Sequence, residues 1–286
     1  MSFKAAAIQM CSGVDPKANA TTMERLIREA AAQGAVYVQT PEMTGAIQKD
    51  RDALRAALKD EKGDIIVLTA AKLARALGIY VHVGSTAIAR PDGKIANRGF
   101  LFAPDGERIC TYDKIHMFDV DLDNGESWRE SSAYEPGTDA RIAELPLATF
   151  GFAICYDVRF PSLFRTEAVA GAQILTVPAA FTKQTGEAHW EILLRARAIE
   201  NGAFLIAAAQ GGTHEDGRET FGHSMIIDPW GNVLAVAGAE GEEIIYADIE
   251  PSAVSEARGK IPNLKNARDF TLDKVGNLGA ARSAAQ

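Results

Sequence analysis

The sequence has little cysteine, and its cysteines are widely spaced. Only Cys11, Cys110 and Cys155 occur in 286 residues. They are too few and too far apart for a disulfide framework or for a close-spaced zinc site. We therefore expect a protein of the reducing cytoplasm, with no structural metal.

Long apolar runs and an excess of basic residues are also missing. No apolar stretch approaches the ~20 residues that a membrane helix needs, and residues 1–20 lack the pattern of a signal peptide. Lys and Arg total 30 against 38 Asp and Glu, which gives a formal net charge of −8. We expect no membrane segment and no nucleic-acid partner, because phosphate binding requires a basic surface.

The composition that remains is that of an ordinary globular protein. Hydrophobic residues make up 47% of the chain and charged residues 24%, which excludes a largely disordered protein. No internal repeat or linker is apparent. We expect a single α/β domain over residues 1–270, followed by a C-terminal tail over residues 271–286.

Strand and helix patterns alternate as far as about residue 210, and strands dominate afterwards. This order predicts mixed sheets covered by helices. A capping box of Thr21 and Glu24 predicts a helix start, and Gly34 its end. Further helices are expected over residues 68–77, from Pro161 onward and over 187–201. Strands are expected over residues 3–10, 35–40, 79–89, 100–103, 108–112, 149–156, 174–180, 203–210, 223–228, 233–237 and 244–249.

Cys155 is the first candidate for chemistry. It ends a short apolar strand pattern and precedes the helix that Pro161 can begin. A sharp turn from strand to helix exposes a side chain as a nucleophile, and the start of a helix favours the thiolate. The alternative interpretation is a buried structural thiol, since free cysteine is among the most buried residue types.

Two charged residues follow other strand patterns. Glu42 comes two residues after Thr40, and Lys114 two after Tyr112. A lone Glu or Lys is usually a solvated surface charge, but carboxyl ends of strands are the edge where α/β sheets bind ligands. A base for the thiol could also come from histidine, although no histidine lies in a local signature for that chemistry: His82, His116, His189, His214 and His223.

Motifs around these three residues resemble the carbon–nitrogen hydrolase (nitrilase) superfamily and its Glu–Lys–Cys triad. The resemblance is closest to the Nit-type branch, which includes ω-amidases and deaminated glutathione amidases. It covers nearly the whole chain in order. The matching segments are Thr40-Pro41-Glu42, Tyr112-Asp113-Lys114-Ile115-His116, and residues 151–161, 185–190, 195–201, 222–225 and 228–231.

The resemblance implies a four-layer α-β-β-α sandwich of the nitrilase type. It also implies a homodimer or a higher homo-oligomer that packs through the helices after the Cys155 segment, here about residues 161–170 and 187–201. It implies an amidase that needs no cofactor and acts on a small-molecule amide bearing a carboxylate, through a thioester on cysteine.

The same resemblance assigns roles to residues of the site. Glu42 is the general base, Cys155 the nucleophile, and Lys114 with the backbone N–H of Tyr156 stabilises the oxyanion. Burial beside a thiol is expected to raise the pKa of Glu42.

Supporting and substrate-binding positions are also implied. Glu130 is a supporting residue that holds Lys114, with a solvated acidic loop as its alternative. Arg159 corresponds to the carboxylate-binding arginine of the branch, with an ion pair to Asp157 or to a nearby Glu as the alternative. Phe181 and Thr185 fall at pocket-lining positions, and core packing is the alternative for Phe181.

Other functions stay open at this point. An N-carbamoyl amino acid hydrolase or a nitrilase would use the same triad with a different pocket. A catalytically silent binding protein on the same fold is a further hypothesis, although all three triad positions carry competent residue types. A metal-dependent hydrolase is disfavoured by the lack of a His-x-x-x-His pattern or a close cysteine cluster.

Overall fold

The computed structural model describes residues 2–121, 125 and 127–275. The helices in that part of the chain are α1 (Pro16–Ala32), α2 (Arg51–Ala57), α3 (Ile65–Leu77), α4 (Pro161–Val169), α5 (Lys183–Asn201) and α6 (Ser252–Lys260). The strands of the first half are β1 (Phe3–Gln9), β2 (Tyr37–Gln39), β3 (Tyr80–Ala89), β4 (Ile95–Phe102), β5 (Arg108–Asp113), β6 (Asp119–Asp121), β7 (Ser127–Arg129) and β8 (Ile142–Glu144). Those of the second half are β9 (Thr149–Phe152), β10 (Ile174–Thr176), β11 (Phe204–Ala207), β12 (Gly211–Thr213), β13 (Glu219–Phe221), β14 (Met225–Ile227), β15 (Val233–Val236) and β16 (Glu243–Ile249).

Two six-stranded sheets form the centre of the fold. Their strand orders are β16-β1-β2-β3-β4-β5 and β15-β14-β11-β10-β9-β8. Helices α1 and α3 pack on the first sheet, and α4 and α5 pack on the second. The predicted four-layer α-β-β-α sandwich is therefore confirmed.

The alternation of side chains along β1 explains this layering. Ala5 and Ala7 point into the interface between the sheets, whereas Ala6 and Ile8 join the core beneath α1 and α3. Across the interface, the ring of Tyr37 stacks on that of Phe150 with centroids 4.7 Å apart. Both faces of each sheet are thus buried, as a central sheet with apolar strands requires.

One buried histidine lies at the interface between the sheets. His82 accepts hydrogen bonds at Nδ1 from the Tyr37 hydroxyl (2.7 Å) and from the Gln39 side chain (3.2 Å). Burial lowers the pKa of His82 to about 3, so the ring is neutral at physiological pH. These contacts indicate that His82 has a structural role, which is the usual role of a lone histidine.

The first helix begins earlier than the capping box predicted. Asp15 caps α1 by accepting from Lys17 N, and Pro16 occupies the first turn. Thr21 lies inside the helix, where its hydroxyl donates to the carbonyl of Lys17. The predicted start at Thr21 and Glu24 is wrong because a stronger cap lies six residues upstream. The end of α3 at Gly78, which has φ of 67°, is as predicted.

Several strands end before the predicted boundary. The runs expected at 149–156, 174–180 and 203–210 end as strands at Phe152, Thr176 and Ala207. The remaining residues continue as extended chain that carries the candidate site. The sequence patterns missed α2, α6, β8 and the small hairpins β6–β7 and β12–β13, which are short and weakly periodic.

Two expectations concern segments beyond the sandwich. Within the described residues, no helix is long and apolar enough to cross a membrane. The predicted tail at residues 271–286 lies mostly outside the described part of the chain, which ends at residue 275. The domain boundary at residue 270 stays a prediction.

Candidate active site

Three buried side chains from distant segments meet where strands of the two sheets end. Glu42 follows β2, Lys114 follows β5, and Cys155 lies three residues after β9. All three are less than a tenth exposed. The structure therefore brings together the acid, the amine and the thiol that the sequence singled out.

A close approach between the two sheets positions this site. A Cβ on Gly84 would lie 2.2 Å from the carbonyl oxygen of Thr40 and 2.4 Å from Pro178. The carbonyl of Pro178 in turn accepts from Cys155 N at 2.9 Å. Only glycine fits at residue 84, because any side chain would push apart the segments that carry Glu42 and Cys155.

Lys114 joins two carboxylates. Its Nζ donates to Glu42 Oε1 at 3.0 Å and to both oxygens of Glu130, at 3.0 and 2.8 Å. Glu130 lies in a 3₁₀ turn (Glu130–Ser132), and the backbone N–H of Phe118 donates to its Oε2 at 2.7 Å. The alternative interpretation, in which Glu130 belongs to a solvated acidic loop, does not hold. Glu130 is largely buried, and its carboxylate binds the ammonium group of Lys114.

Asn97 is a member of the cluster that sequence reasoning missed. Its Nδ2 donates to Glu42 Oε1 at 2.9 Å and to Glu130 Oε1 at 3.2 Å, and its carbonyl accepts from Lys114 N at 3.0 Å. Nothing in the local sequence distinguishes an asparagine inside β4. Only the pairing of β4 with β5 shows that it lies next to Lys114.

The backbone at Cys155 has the strained geometry of a nucleophile turn. Cys155 has φ of 50°, an uncommon value for a residue with a side chain, and it begins a 3₁₀ turn (Cys155–Arg159). Asp157 fixes this turn by accepting from Ile154 N (2.9 Å), the Tyr112 hydroxyl (2.7 Å) and His116 N (2.9 Å). One buried carboxylate thus ties the cysteine turn to the segment after Lys114.

Glu42 is ionised in this environment. Burial alone would raise the pKa of Glu42, but the charge of Lys114 and hydrogen bonds from Cys155, Lys114 and Asn97 hold it below its usual value. Its Oε2 also accepts from Ala180 N at 2.8 Å. The expectation of a raised pKa is wrong, because the donors around the carboxylate outweigh its burial.

Cys155 is a thiol in the resting site. Burial raises its pKa well above the usual value, the negative charge of Glu42 raises it further, and Lys114 only partly opposes this. The expected stabilisation of a thiolate by a helix start is therefore wrong. The thiol interacts directly with the Glu42 carboxylate, which can accept its proton.

Lys114 remains a cation despite its burial. Burial would lower its pKa, but the carboxylates of Glu130 and Glu42 raise the pKa well above that of a free lysine. A fixed positive charge beside the sulfur can stabilise an oxyanion without any proton transfer.

Gln210 holds the backbone of Glu42 in place. Its Nε2 donates to the carbonyl of Glu42 at 3.1 Å and to the Ser12 hydroxyl at 2.9 Å. Met43, next to Glu42, has φ of 55°, and its N–H donates to Ser85 Oγ at 3.0 Å. These bonds hold the Glu42 loop in a conformation that costs of order 1–3 kcal/mol at such a residue.

A cavity of about 470 Å³ lies above the cluster and is lined by Glu42, Lys114, Glu130 and Cys155. Tyr156, Phe181 and Thr185 also line it. Phe181 packs against Trp190 with ring centroids 4.9 Å apart, so it serves both the core and the cavity wall.

Arg159 lies beside the cavity, and its side chain packs on aromatic rings. Its guanidinium lies 5.2 Å from the centroid of Phe181 and 5.8 Å from that of Tyr156, and Nη1 lies 3.3 Å from His189 Nδ1. The alternative ion pair with Asp157 does not form, because Asp157 is taken up by the cysteine turn.

Among the described residues, no group of three or more His, Cys, Asp and Glu side chains is arranged to hold a metal ion. Two of the histidines that were considered as a base for the thiol bond to groups other than the sulfur of Cys155. His116 bonds to Asp157, and His214 bonds through Nδ1 to Ser12 O and through Nε2 to Thr220.

Known proteins resemble this chain along nearly its whole length. The family model "Carbon-nitrogen hydrolase" matches residues 4–259. The chain is 38% identical to the deaminated glutathione amidase of Yersinia enterocolitica, over 98% of either chain. It is 34% identical to omega-amidase NIT2 of Danio rerio, over 93% of this chain and 95% of that protein.

A solved structure shows the same fold. The NitFhit protein of C. elegans superimposes with a TM-score of 0.86 at 32% identity, over 93% of this chain. This chain spans 65% of the NitFhit chain, so the comparison concerns that part of the larger protein.

Proposed function

This chain belongs to the carbon–nitrogen hydrolase family, and from that premise we propose that it hydrolyses the terminal amide of a small compound bearing a carboxylate. It is an amidase, a hydrolase of carbon–nitrogen bonds other than peptide bonds. The names of its relatives point to an ω-amide or a deaminated glutathione-like compound as substrate.

One observation carries the proposal. Glu42, Lys114 and Cys155 come from three separate segments, yet they share one buried cavity and contact one another through Glu42. An ionised base, a fixed cation and a protonated thiol are the groups that acyl transfer from an amide requires.

The first half-reaction forms a thioester. As Cys155 Sγ attacks the carbonyl carbon, Glu42 accepts the thiol proton, and the carbonyl oxygen becomes an oxyanion. Lys114 Nζ stabilises that charge, with the backbone N–H of Tyr156 as the proposed second donor. The protonated Glu42 then gives its proton to the leaving nitrogen, and the C–N bond breaks to release ammonia or an amine.

The second half-reaction regenerates the thiol. Glu42 takes a proton from a water molecule while the oxygen of that water attacks the thioester carbonyl. The second tetrahedral intermediate then collapses to the carboxylic acid as the C–S bond breaks. The proton on Glu42 returns to Cys155 Sγ. Hydrogen bonds with Glu130 and Asn97 keep the side chains of Lys114 and Glu42 in position through both steps.

The proposal also includes the substrate-binding residues that the family resemblance assigns in this chain. Phe181 and Thr185 contact the acyl chain from the cavity wall. Arg159 binds the carboxylate in this assignment, and for that its guanidinium must leave the faces of Phe181 and Tyr156.

Ammonia release from purified protein tests the activity. We expect turnover of ω-amides such as glutaramate, and loss of it in Cys155→Ala with unchanged circular dichroism. Full activity in Cys155→Ala would contradict the triad. The alternatives, an N-carbamoyl amino acid hydrolase or a nitrilase with the same triad, predict faster turnover of carbamoyl amino acids or of nitriles in the same panel.

We also propose a homodimer that packs through α4 and α5. These helices carry exposed apolar side chains: Val169 is 66% exposed, Ile192 70% and Ile199 52%. Such residues on two adjacent helices are typical of an interface. Light scattering should give twice the monomer mass, and Ile192→Glu should halve it; a monomeric wild type would contradict the dimer.

A cytoplasmic location is the last part of the proposal. All three cysteines are free thiols, and the mechanism needs Cys155 reduced. Cell fractionation should recover the protein with cytoplasmic markers, and recovery elsewhere would contradict this.

A further inference from the structure

One wall of the cavity is aromatic and leads away from the nucleophile. Tyr156, next to Cys155, meets Phe118 edge-on with centroids 5.1 Å apart, and Phe118 meets Trp128 at 6.2 Å. The guanidinium of Arg218 lies over Trp128, 4.7 Å from the ring centroid. Arg218 therefore stands at the far end of this wall from the sulfur.

Within the part of the chain that the structure describes, Arg218 forms no ion pair. Among the described residues, no carboxylate lies within ion-pair distance of its guanidinium, and its buried Nε has no hydrogen-bond partner. Asp216, two residues away, accepts from the backbone N–H of Arg218 through Oδ1. Two other arginines that line the cavity have partners: Arg129 pairs with Asp121 at 2.8 Å, and Arg51 donates to the carbonyl of Arg129. Arg159, beside the cavity, lies instead against the rings of Phe181 and Tyr156.

The backbone that carries Arg218 is firmly held. The turn between β12 and β13 closes through His214 N to the Arg218 carbonyl at 2.8 Å. The buried ring of His214 bonds to Ser12 O (2.9 Å), which ties the hairpin to the segment after β1, and to Thr220 Oγ1 (2.7 Å) within the hairpin itself. Such anchoring lowers the entropic cost of binding at Arg218.

We propose that Arg218 is an anion subsite that binds a substrate carboxylate at the end remote from the scissile amide. This inference rests on the proposed amidase function and deepens it, and for long acyl chains it gives Arg218 the carboxylate that the resemblance assigns to Arg159. A guanidinium that is stacked, unpaired and exposed to a cavity is suited to a planar carboxylate, which can accept two parallel hydrogen bonds. Only an acyl chain long enough to reach from Cys155 to Arg218 gains from the contact.

Electrostatic repulsion also favours an anion site away from the nucleophile. Within the described residues, Glu42 and Glu130 share one ammonium group, that of Lys114, so acidic groups outnumber basic ones in the cluster around Cys155. A carboxylate held near the cluster would be repelled, whereas one held at Arg218 lies away from it. The arrangement thus separates the reacting carbonyl from the recognised anion.

A chain-length series tests the subsite. The probes are succinamate, glutaramate, adipamate and pimelamate, each with its uncharged methyl ester. For the chain length that reaches Arg218, we expect Arg218→Gln to raise KM of the acid about tenfold or more. The kcat, and the KM of the matching ester, should stay within twofold. Arg218→Lys should restore part of the loss, since it keeps the charge.

Two variants serve as comparisons. Arg141→Gln removes an exposed arginine paired with Asp139 and changes the net charge equally, so it should leave every KM unchanged. Arg159→Gln separates the two candidate arginines. A KM effect confined to Arg159→Gln would overturn the Arg218 subsite, and so would equal losses for acid and ester in Arg218→Gln, because these indicate a structural role.

A binding experiment separates this proposal from the proposed activity. Calorimetric titration with adipate and pimelate needs no turnover. We expect binding by wild type and about tenfold weaker binding by Arg218→Gln. If no amide is hydrolysed but this difference is found, the activity fails and the subsite stands. If amides are hydrolysed but both proteins bind the dicarboxylates equally, the subsite fails and the activity stands.

Discussion

Two buried glutamates near the cysteine turn differ in charge state, since Glu42 is ionised and Glu167 is neutral. Against the effect of burial, the charge of Lys114 and hydrogen bonds from Cys155, Lys114 and Asn97 hold the pKa of Glu42 below the usual value. Glu167 on α4 is as deeply buried, but its Oε1 accepts only from Phe152 N, and its Oε2 has no partner among the described residues.

Burial raises the pKa of Glu167 well above the usual value, and the nearby charge of Asp157 adds to this. Its Oε2 also lies 2.5 Å from where a Cβ on Gly151 would stand, so β9 passes directly against it. The comparison teaches that the surrounding donors, rather than depth, decide whether a buried carboxyl can serve as a base.

The largest expected effect is on kcat/KM, when the same substitution, Glu to Gln, is made at each of the two carboxyls. Glu42→Gln removes the base and should lower kcat/KM by about 10²–10⁴-fold. Glu167→Gln, the matched control, should leave kcat/KM within about twofold. Steady-state ammonia release measures both, and equal losses would break the distinction.

Removal of the cation should come next in size. Lys114→Met leaves the carbonyl oxygen without its charged donor, which should cost about 10²–10³-fold in kcat. It also leaves Glu42 and Glu130 facing each other without a cation, so the pKa of Glu42 should rise. Thermal denaturation checks that the variant is folded, and an unchanged kcat in folded protein would contradict the role of Lys114.

The hydrogen bond from Asn97 should produce a smaller, pH-dependent effect. Because Glu42 must be ionised, kcat/KM of wild type should fall only when pH drops below about 4.3, the ordinary value for Glu. Asn97→Ala removes one donor to the carboxylate and should move this acid limb to higher pH. Rates on return to pH 7 control for unfolding, and an unmoved limb would contradict the contact.

The smallest effect concerns stability. The raised pKa of Glu167 makes it neutral in the fold at pH values where the unfolded chain ionises it. Its contribution to stability is thus present below about pH 4.3 and is lost as pH rises toward the folded pKa.

Glu167→Gln cannot ionise and removes this loss. The free energy of unfolding of the variant, relative to wild type, should therefore increase from pH 4 to pH 7. Urea titrations across that range measure it, and a constant difference would contradict the assignment.

Strand and helix patterns predicted an α/β domain with mixed sheets, because these patterns are local signals. The order of the layers was implied by the resemblance to the nitrilase superfamily, and the motifs that carry this resemblance also marked the three central residues. Asn97, Gly84 and Gln210 could not be found in this way. Each acts across strands or sheets, and its importance depends on pairing that no short segment shows.

Charge states were the least predictable property. The pKa of Glu42 depends on burial, on the charge of Lys114 and on hydrogen bonds from Cys155, Lys114 and Asn97. The pKa of Cys155 is set mainly by burial and by the charge of Glu42. The pattern of a helix start after Cys155 indicated a thiolate, whereas the folded site contains a thiol beside an ionised base.

The most direct test of the account is the mass of Cys155 during turnover. Protein mixed with a hydrolysed ω-amide is quenched in acid, digested and analysed by mass spectrometry. We predict that the acyl group is found on the peptide that contains Cys155, and that it is absent from Cys155→Ala. Steady turnover in wild type together with an unmodified Cys155 at every quench time, or an adduct that persists in Cys155→Ala, would contradict the account.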